Sequence, residues 1–482
     1  MISYQSVFFI LGILLTTLGM MMCIPMVVDL FLQSPDWLVF MASAGVSIFV
    51  GVALILTMRS ERITFRAREA FILTTSSWLL IALFGALPFM FSELRMSVAD
   101  AFFESMSGIT TTGATVITTL TNAPPGILIW RALLQWLGGI GFIVMAIAVL
   151  PLLRVGGMQL FQTESSDQSE KIMPRATQIA GGTVALYVGF SCICALLYWA
   201  AGMSGFDAIA HAMTTIATGG FSTSDESIRF FDNTAIDVVA ITFMLIGSLP
   251  FALYLQAIRG RPLILWHDSQ VRWFLTFLVA TITIITAWLY LTGQYGFSNS
   301  VRYSAFNVIS IVTTTGYASA NYDTWGAFAV GAFFFLMVVG GCSGSTTCGI
   351  KIFRFQVIYE TARVQISRLL SPHGVFVPRF NGKALPEGVS ESVMSFFFVF
   401  ALSFSVLALG LGFVGLDFVT AMSAAASAIA CVGPGLGHIV GPAGTFAPLP
   451  DAAKYMLAAG MLLGRLELFT VLVLFAPAFW RK

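Results

Sequence analysis

Four stretches decide the fold: DAFFESMSGITTTGAT (Asp100–Thr115), DAIAHAMTTIATGGFST (Asp207–Thr223), YSAFNVISIVTTTGYAS (Tyr303–Ser319) and DFVTAMSAAASAIACVGPG (Asp417–Gly435). Thirteen residues separate Asp100 from Gly113, Asp207 from Gly220 and Tyr303 from Gly316. The fourth stretch is a few residues longer, with Gly433 or Gly435 in the equivalent place. Each is too short to cross a bilayer as a helix, which takes about 20 residues. Each follows one long apolar run and precedes another. The unit is long span, short helix, Thr/Gly-rich loop, long span, and it occurs four times. A repeat of this kind outweighs any single motif.

The long apolar runs number ten: Val7–Phe31, Asp36–Thr57, Phe71–Phe91, Ile127–Leu153, Thr177–Ala201, Ala235–Ile258, Val271–Thr292, Phe328–Phe353, Val393–Val414 and Tyr455–Phe479. The first two precede the repeats. The expected fold is an all-α polytopic membrane protein with ten transmembrane helices, divided as 1–66 (two N-terminal helices), 67–170, 171–265, 266–385 and 386–482 (repeats one to four). Composition agrees. The chain of 482 residues is 57% hydrophobic and 10% charged, with a net charge of +1. Soluble domains carry about 25% charged residues. These values argue against a cytosolic enzyme, a disordered chain and a nucleic-acid binder. The six cysteines and four histidines form no metal-ligand spacing, and no organic cofactor motif is present.

Charge gives the orientation. With a cytoplasmic N-terminus, 18 of the 24 Lys and Arg fall on the cytoplasmic side, among them Arg59, Arg62, Arg66, Arg154, Lys171, Arg175 and Lys482. Five fall outside (Arg95, Arg131, Arg229, Arg302, Lys454), and Arg465 sits within the last run. This is a positive-inside distribution. It predicts both termini in the cytoplasm and all four short helices on the outer side.

Irregular backbone at membrane depth is tolerated only where it is buried in protein or lines a water-filled cavity. Four such loops can ring one axis. Asp100, Asp207 and Asp417 are N-cap candidates for the short helices, whose negative C-terminal ends would point inward and favour a cation. Gly113, Gly220, Gly316 and Gly433 free neighbouring carbonyls to aim at the axis. Carbonyl rings of this kind replace the hydration shell of potassium. The expected filter is Thr111, Thr112, Gly113; Thr218, Gly219, Gly220; Thr314, Thr315, Gly316; and Cys431, Val432, Gly433.

A second irregularity is GGCSGSTTCGIK (Gly340–Lys351), halfway along the eighth run. So many Gly, Ser and Thr residues break a helix inside the membrane. Arg465 is the other anomaly. A cation there costs at least about 2.5–3.5 kcal/mol unless it faces water or a partner. It either hydrogen-bonds the carbonyls of the Gly-rich loop and repels cations, or pairs between helices. Lys351 reads as an interfacial anchor or as a second such cation. Glu104 and His211, in the first and second short helices, read as lining the outer vestibule or as packing and hydrogen-bonding residues among the short helices. The charged stretch Phe353–Ser390 reads as a partner-docking segment or a solvated linker.

These motifs resemble the Trk/Ktr/HKT superfamily of potassium transporters, and within it the membrane subunit of bacterial Trk uptake systems. The resemblance covers almost the whole chain. It rests on TTTGAT, TIATGGFST, VTTTGYAS and ACVGPGLG in order, on GGCSGSTTCGIK, and on GRLELFT in the last run. It implies a potassium-channel-like pore in the bacterial inner membrane, passing K+ and Rb+. The gate is expected at Gly340, Gly341, Ser343, Gly344, Ser345, Thr346, Thr347, Gly349, Lys351 and Arg465. It further implies a homodimer and a cytoplasmic nucleotide-binding (NAD/ATP-type) regulatory ring. The rival readings are an H+- or Na+-coupled potassium symporter and a Na+/K+-permeable transporter. An enzyme is not expected, because the spans carry no nucleophile elbow, HExxH or clustered His, Asp and Cys.

Overall fold

The computed structural model describes residues 4–58, 67–148, 157 and 172–481. Arg59, Arg62, Arg66, Arg154, Lys171 and Lys482 lie outside the described residues, as do the side chain of Arg175 and the end of the fourth apolar run. The borders 66/67 and 170/171 of the expected division also fall on that edge.

Among the described residues, seven helices are long and apolar enough to cross a bilayer: Tyr4–Phe31, Trp37–Thr57, Arg68–Phe91, Pro125–Met145, Ile179–Ala200, Ser269–Leu291 and Val389–Phe413. The other three runs are broken. Thr234–Ser248 and Phe251–Ile258 meet at 94°, and Asp451–Arg465 and Phe469–Phe475 meet at 107°. At the first break Leu249 is extended and Pro250 supplies no N–H to continue the ladder. At the second, Glu467 and Leu468 both take positive φ (62° and 47°). The eighth run is helical only over Ala327–Leu336, and helix resumes at Ile352–Leu370 beyond the Gly-rich segment. The described residues therefore hold seven helical segments long enough to span and two sharply bent pairs rather than ten continuous helices.

The long helices turn apolar side chains outward. Phe49 and Leu409 are each 75% exposed and Phe413 is 93% exposed. In water that surface would drive association; in hydrocarbon it is the satisfied one. The short helices lie inside this jacket. They span Val98–Ile109, Gly205–Ile216, Phe297–Val312 and Phe418–Ala430, and most of their residues are buried. The N-terminal pair is tied to the rest by Asp29, whose carboxylate accepts from Gly126 N at 2.7 Å, at the start of helix Pro125–Ala148.

Capping departs from the expectation in two helices. Ser97 and Ser204, not Asp100 and Asp207, are the N-caps; their hydroxyls accept from the backbone N–H of Asp100 (3.1 Å) and Asp207 (3.0 Å). Each aspartate accepts in return from the serine hydroxyl, at 2.9 and 2.7 Å. The aspartate stands in the third helical position, as the partner residue of a capping box does, but its return bond is to the serine hydroxyl rather than to the serine backbone N–H. Asp417 does cap the fourth helix, accepting from Thr420 N at 3.1 Å. The stretch Phe353–Ser390 is not a plain linker either. It is largely the helix Ile352–Leu370, followed by a two-stranded turn pairing Arg379–Phe380 with Lys383–Ala384.

Candidate functional site

The four short helices end in the same way. Each helix continues into a residue in the left-handed region: Thr111 (φ 55°), Thr218 (49°), Thr314 (56°) and Cys431 (52°). Two residues on, Gly113, Gly220, Gly316 and Gly433 also take positive φ, from 77° to 106°. Between them, Thr112, Gly219, Thr315 and Val432 donate their N–H to Ser107, Thr214, Ser310 and Ser427 carbonyls at 2.8–3.0 Å. Left-handed threonine is rare, because a β-branched side chain crowds the following carbonyl, and it costs about 1–3 kcal/mol. Three such threonines and a cysteine at matched positions are strain concentrated where a site is expected.

The loops face one another in a closed cycle. A β-carbon on Gly113 would stand 2.1 Å from the carbonyl oxygen of Gly219. One on Gly220 would stand 1.9 Å from that of Thr315, and one on Gly316 2.0 Å from that of Val432. One on Gly433 would stand 2.8 Å from that of Thr112, which returns to the first loop. Each glycine thus abuts the carbonyl immediately before the next loop's glycine. The four glycines line a single cleft. Gly433 belongs to this cycle, whereas Gly435 turns away and donates its N–H to Val440 O at 2.6 Å.

Each loop is braced from its own short helix. Glu104, His211 and Asn307 all lie seven residues before the left-handed residue of their loop. Glu104 accepts from Val116 N at 2.9 Å, His211 meets Ser222 Oγ at 3.0 Å, and Asn307 donates to Ser319 Oγ at 3.0 Å. In the fourth loop Ser423 Oγ accepts from Leu436 N at 2.9 Å. Tyr317 crosses between units, its hydroxyl 2.5 Å from Thr214 Oγ1.

Two braces had not been singled out from the sequence. Arg131 donates to Glu104 at 2.7 Å and to Ser222 O at 2.9 Å, and stands 4.0 Å over the Phe221 ring. Gln135 donates to Gly219 O at 2.6 Å and accepts from Phe221 N at 3.1 Å. Both residues are buried. Their i, i+4 spacing put a polar stripe on one face of an apolar helix, and that was the readable signal. Losing one partner of a buried ion pair such as Arg131–Glu104 leaves a bare charge, at about 3–5 kcal/mol.

Directly inward lies the segment Met337–Lys351. Its ends meet: Gly340 N donates to Ile350 O and Ile350 N to Val338 O, both at 2.9 Å. The segment between folds under the loops. Thr218 Oγ1 donates to Thr346 Oγ1 at 3.1 Å, and Cys348 N donates to Thr314 Oγ1 at 2.9 Å. Two of the left-handed threonines therefore hold it. Thr346 Oγ1 also donates to Gly247 O at 2.9 Å and to Ile216 O at 3.1 Å. Gly341 O accepts from Ile352 N at 3.1 Å, Gly344 O from Phe251 N at 3.0 Å, and Ser343 N donates to Gln270 at 3.0 Å. Ser345 Oγ donates to Cys342 O at 2.6 Å and meets Thr347 Oγ1 at 2.7 Å. Gly349 turns the chain with φ 69°.

Arg465 is fully buried against this segment. Its Nη1 donates to Thr346 O and to Cys348 Sγ, both at 2.9 Å, and its Nη2 to Gly138 O at 3.1 Å. Lys351 is also buried rather than interfacial. Its ammonium bonds Thr347 O and Thr347 Oγ1 (3.0 Å to the hydroxyl), because the segment folds back over it. Arg354 pairs with Glu467 in the same region. The floor beneath the loops is thus strongly cationic, with Lys351, Arg354 and Arg465 against Glu467. Among the described residues no cluster of His, Cys, Asp and Glu that could hold a metal ion is present.

The chain matches the sequence model of a family described as "TrkH: Cation transport protein" over residues 38–482. It is 47% identical over 475 residues to the Trk system potassium uptake protein TrkI of Halomonas elongata, covering 98% of this chain and 96% of that one. It is 36% identical to the Trk system potassium uptake protein TrkH of Escherichia coli K12, covering 99% and 100%. Its structure superposes on the crystal structure of the potassium transporter TrkH from Vibrio parahaemolyticus with a TM-score of 0.92, at 35% identity, covering 99% of this chain and 100% of that one.

Proposed function

We propose, from the premise that this chain belongs to the TrkH family of cation transport proteins, that it is the membrane subunit of a bacterial potassium uptake system and works as a gated pore. The observation that carries this reading is the closed cycle of glycine-to-carbonyl contacts through Gly113, Gly220, Gly316 and Gly433. Such a cycle sets the carbonyls of Thr112, Gly219, Thr315 and Val432 around one axis. Carbonyl oxygens can there stand in for the hydration shell of K+ or Rb+. The repeats 67–170, 171–265, 266–385 and 386–482 each contribute one loop, and 1–66 forms the leading pair of spans. Ten crossings follow if each bent or broken run is one crossing.

The segment Gly340–Lys351 is the barrier. It is tied to two filter threonines above and to Arg465 from the side. Lys351 and Arg465 add charge that opposes a cation, so permeation requires the segment to move. The protein lies in the bacterial inner membrane with both termini cytoplasmic, as its cation distribution favours. A homodimer and a cytoplasmic nucleotide-binding ring complete the system, and that ring moves the segment. Coupling to H+ or Na+ has little support, because the four filter triplets contain no Asp or Glu.

The test is flux into liposomes of the purified chain. K+ and Rb+ should enter down their gradients with Na+ at least about tenfold slower, and with no pH gradient imposed. Uptake that stops when the proton gradient is collapsed makes the protein a symporter and removes the pore reading.

A further inference from the structure

Two charged residues, Arg131 and Asp225, line the cleft that the four filter glycines share, and none of its lining residues comes from the barrier segment. Arg131 is buried and its charge is met by Glu104 at 2.7 Å. Asp225 is exposed and forms no ion pair among the described residues. Arg229, the nearest basic residue in sequence, stands against Glu226 instead, at 3.9 Å.

The Asp225 carboxylate is nonetheless fixed. Its Oδ1 accepts from Leu120 N at 2.6 Å and its Oδ2 from Thr121 Oγ1 at 3.2 Å, both on the chain that leaves the first loop. The same segment rests on the chain that leaves the third loop: Ala318 N donates to Ser227 Oγ at 3.3 Å, and Arg229 N donates to Ala318 O at 3.2 Å. Asp225 itself follows the second loop by five residues. Three loop exits therefore hold this carboxylate beside one cleft. Its donors are neutral, so they position it without cancelling its charge. A carboxylate offers about four lone-pair sites, and two remain for a cation or its water.

We infer that the Asp225 carboxylate is a recruiting site for hydrated monovalent cations at the entrance to the filter. The inference rests on the pore reading and adds a residue to that path. Carbonyls carry dipoles rather than net charge, so they act on an ion that has already arrived. A net negative charge beside a cleft with low-dielectric walls raises the local cation concentration before any water is shed. One such charge acting through water changes that concentration a few-fold, and salt screens the effect. Asp225 thus sets how readily an ion arrives, and the Thr112, Gly219, Thr315 and Val432 carbonyls set which ion stays.

The experiment is Rb+ flux through the full chain in phosphatidylcholine liposomes, whose headgroups carry no net charge. N-methylglucamine chloride on both sides sets the ionic strength at about 0.01 M or about 1 M, where charges act over about 30 Å or about 3 Å. At the low value, Asp225→Asn should raise the half-saturating Rb+ concentration at least about threefold. The amide oxygen can still accept from Leu120 N, so the change is chiefly one of charge. At the high value the variant and wild type should converge. Asp225→Glu keeps the charge and should stay near wild type, and Glu226→Gln should match wild type. Wild type alone should show half-saturation rising at least about threefold between the two salts. A flat wild-type response, or wild-type half-saturation in Asp225→Asn at low salt, overturns the site. A defect in Asp225→Asn that persists at about 1 M salt, or that comes with a changed K+-to-Na+ preference, also overturns it and makes Asp225 a brace of the loops. A wild type that passes no Rb+ down its gradient is a separate result, which removes the pore reading itself.

Discussion

Replacing Gly316 with serine should lower the preference for K+ over Na+ by at least about tenfold, because cation selectivity depends on where the carbonyls stand. Gly316 has φ 82°, and a β-carbon there meets Val432 O at 2.0 Å and Pro434 Cδ at 2.8 Å. Neither neighbour is the end of a flexible side chain. The third loop, the fourth loop or both must move, and with them the Thr315 and Val432 carbonyls. A residue with a Cβ also pays for the left-handed backbone itself, at about 1–3 kcal/mol. The measurement is the reversal potential with K+ on one side and Na+ on the other. Gly331→Ser is the matched control, since a β-carbon there meets nothing within 4 Å; it should leave the ratio unchanged. An unchanged ratio in Gly316→Ser would remove the third loop from the filter.

Deleting Ser343–Thr347 should raise K+ flux at least about tenfold, which corresponds to some 1.4 kcal/mol of barrier. The segment obstructs the axis in the proposed reading, and its two ends already lie side by side. Its ends are already held together by the Gly340–Ile350 and Ile350–Val338 backbone hydrogen bonds. The deletion also strips the Thr346 carbonyl from Arg465 and the Thr346 hydroxyl from Thr218, Ile216 and Gly247. The check is tracer flux without any partner protein. Flux that falls or holds level in a well-folded deletion variant shows that the barrier lies elsewhere.

The loops were legible because threonine and glycine recur at fixed offsets where a helix has to stop inside the membrane. The same logic exposed Gly340–Lys351, since seven Gly, Ser and Thr residues interrupt an otherwise apolar run between Gly340 and Thr347. Arg465 stood out because a lone cation in an apolar helix requires partners, and it finds three. Other features depended on tertiary context. The bend at Glu467 and Leu468 involves neither glycine nor proline; Glu467 there pairs with Arg354 from a distant helix. Pro250 did mark its bend, but the unbroken apolar character around it reads equally as one span. Ser97 and Ser204 share each helix start with an aspartate three residues on, and sequence alone does not decide which of the two is the cap and which the returning partner. Lys351 ends an apolar run and so resembles an anchor. Only the folding back of its own segment buries it.

The central claim is that four carbonyls, from Thr112, Gly219, Thr315 and Val432, surround a dehydrated monovalent cation. Crystals of the full chain grown in Rb+ test it most directly, through an anomalous difference map. The account predicts peaks on the axis bounded by those four oxygens, lost when Rb+ is exchanged for Na+. An axis without peaks, or Rb+ bound only elsewhere in the chain, would contradict it.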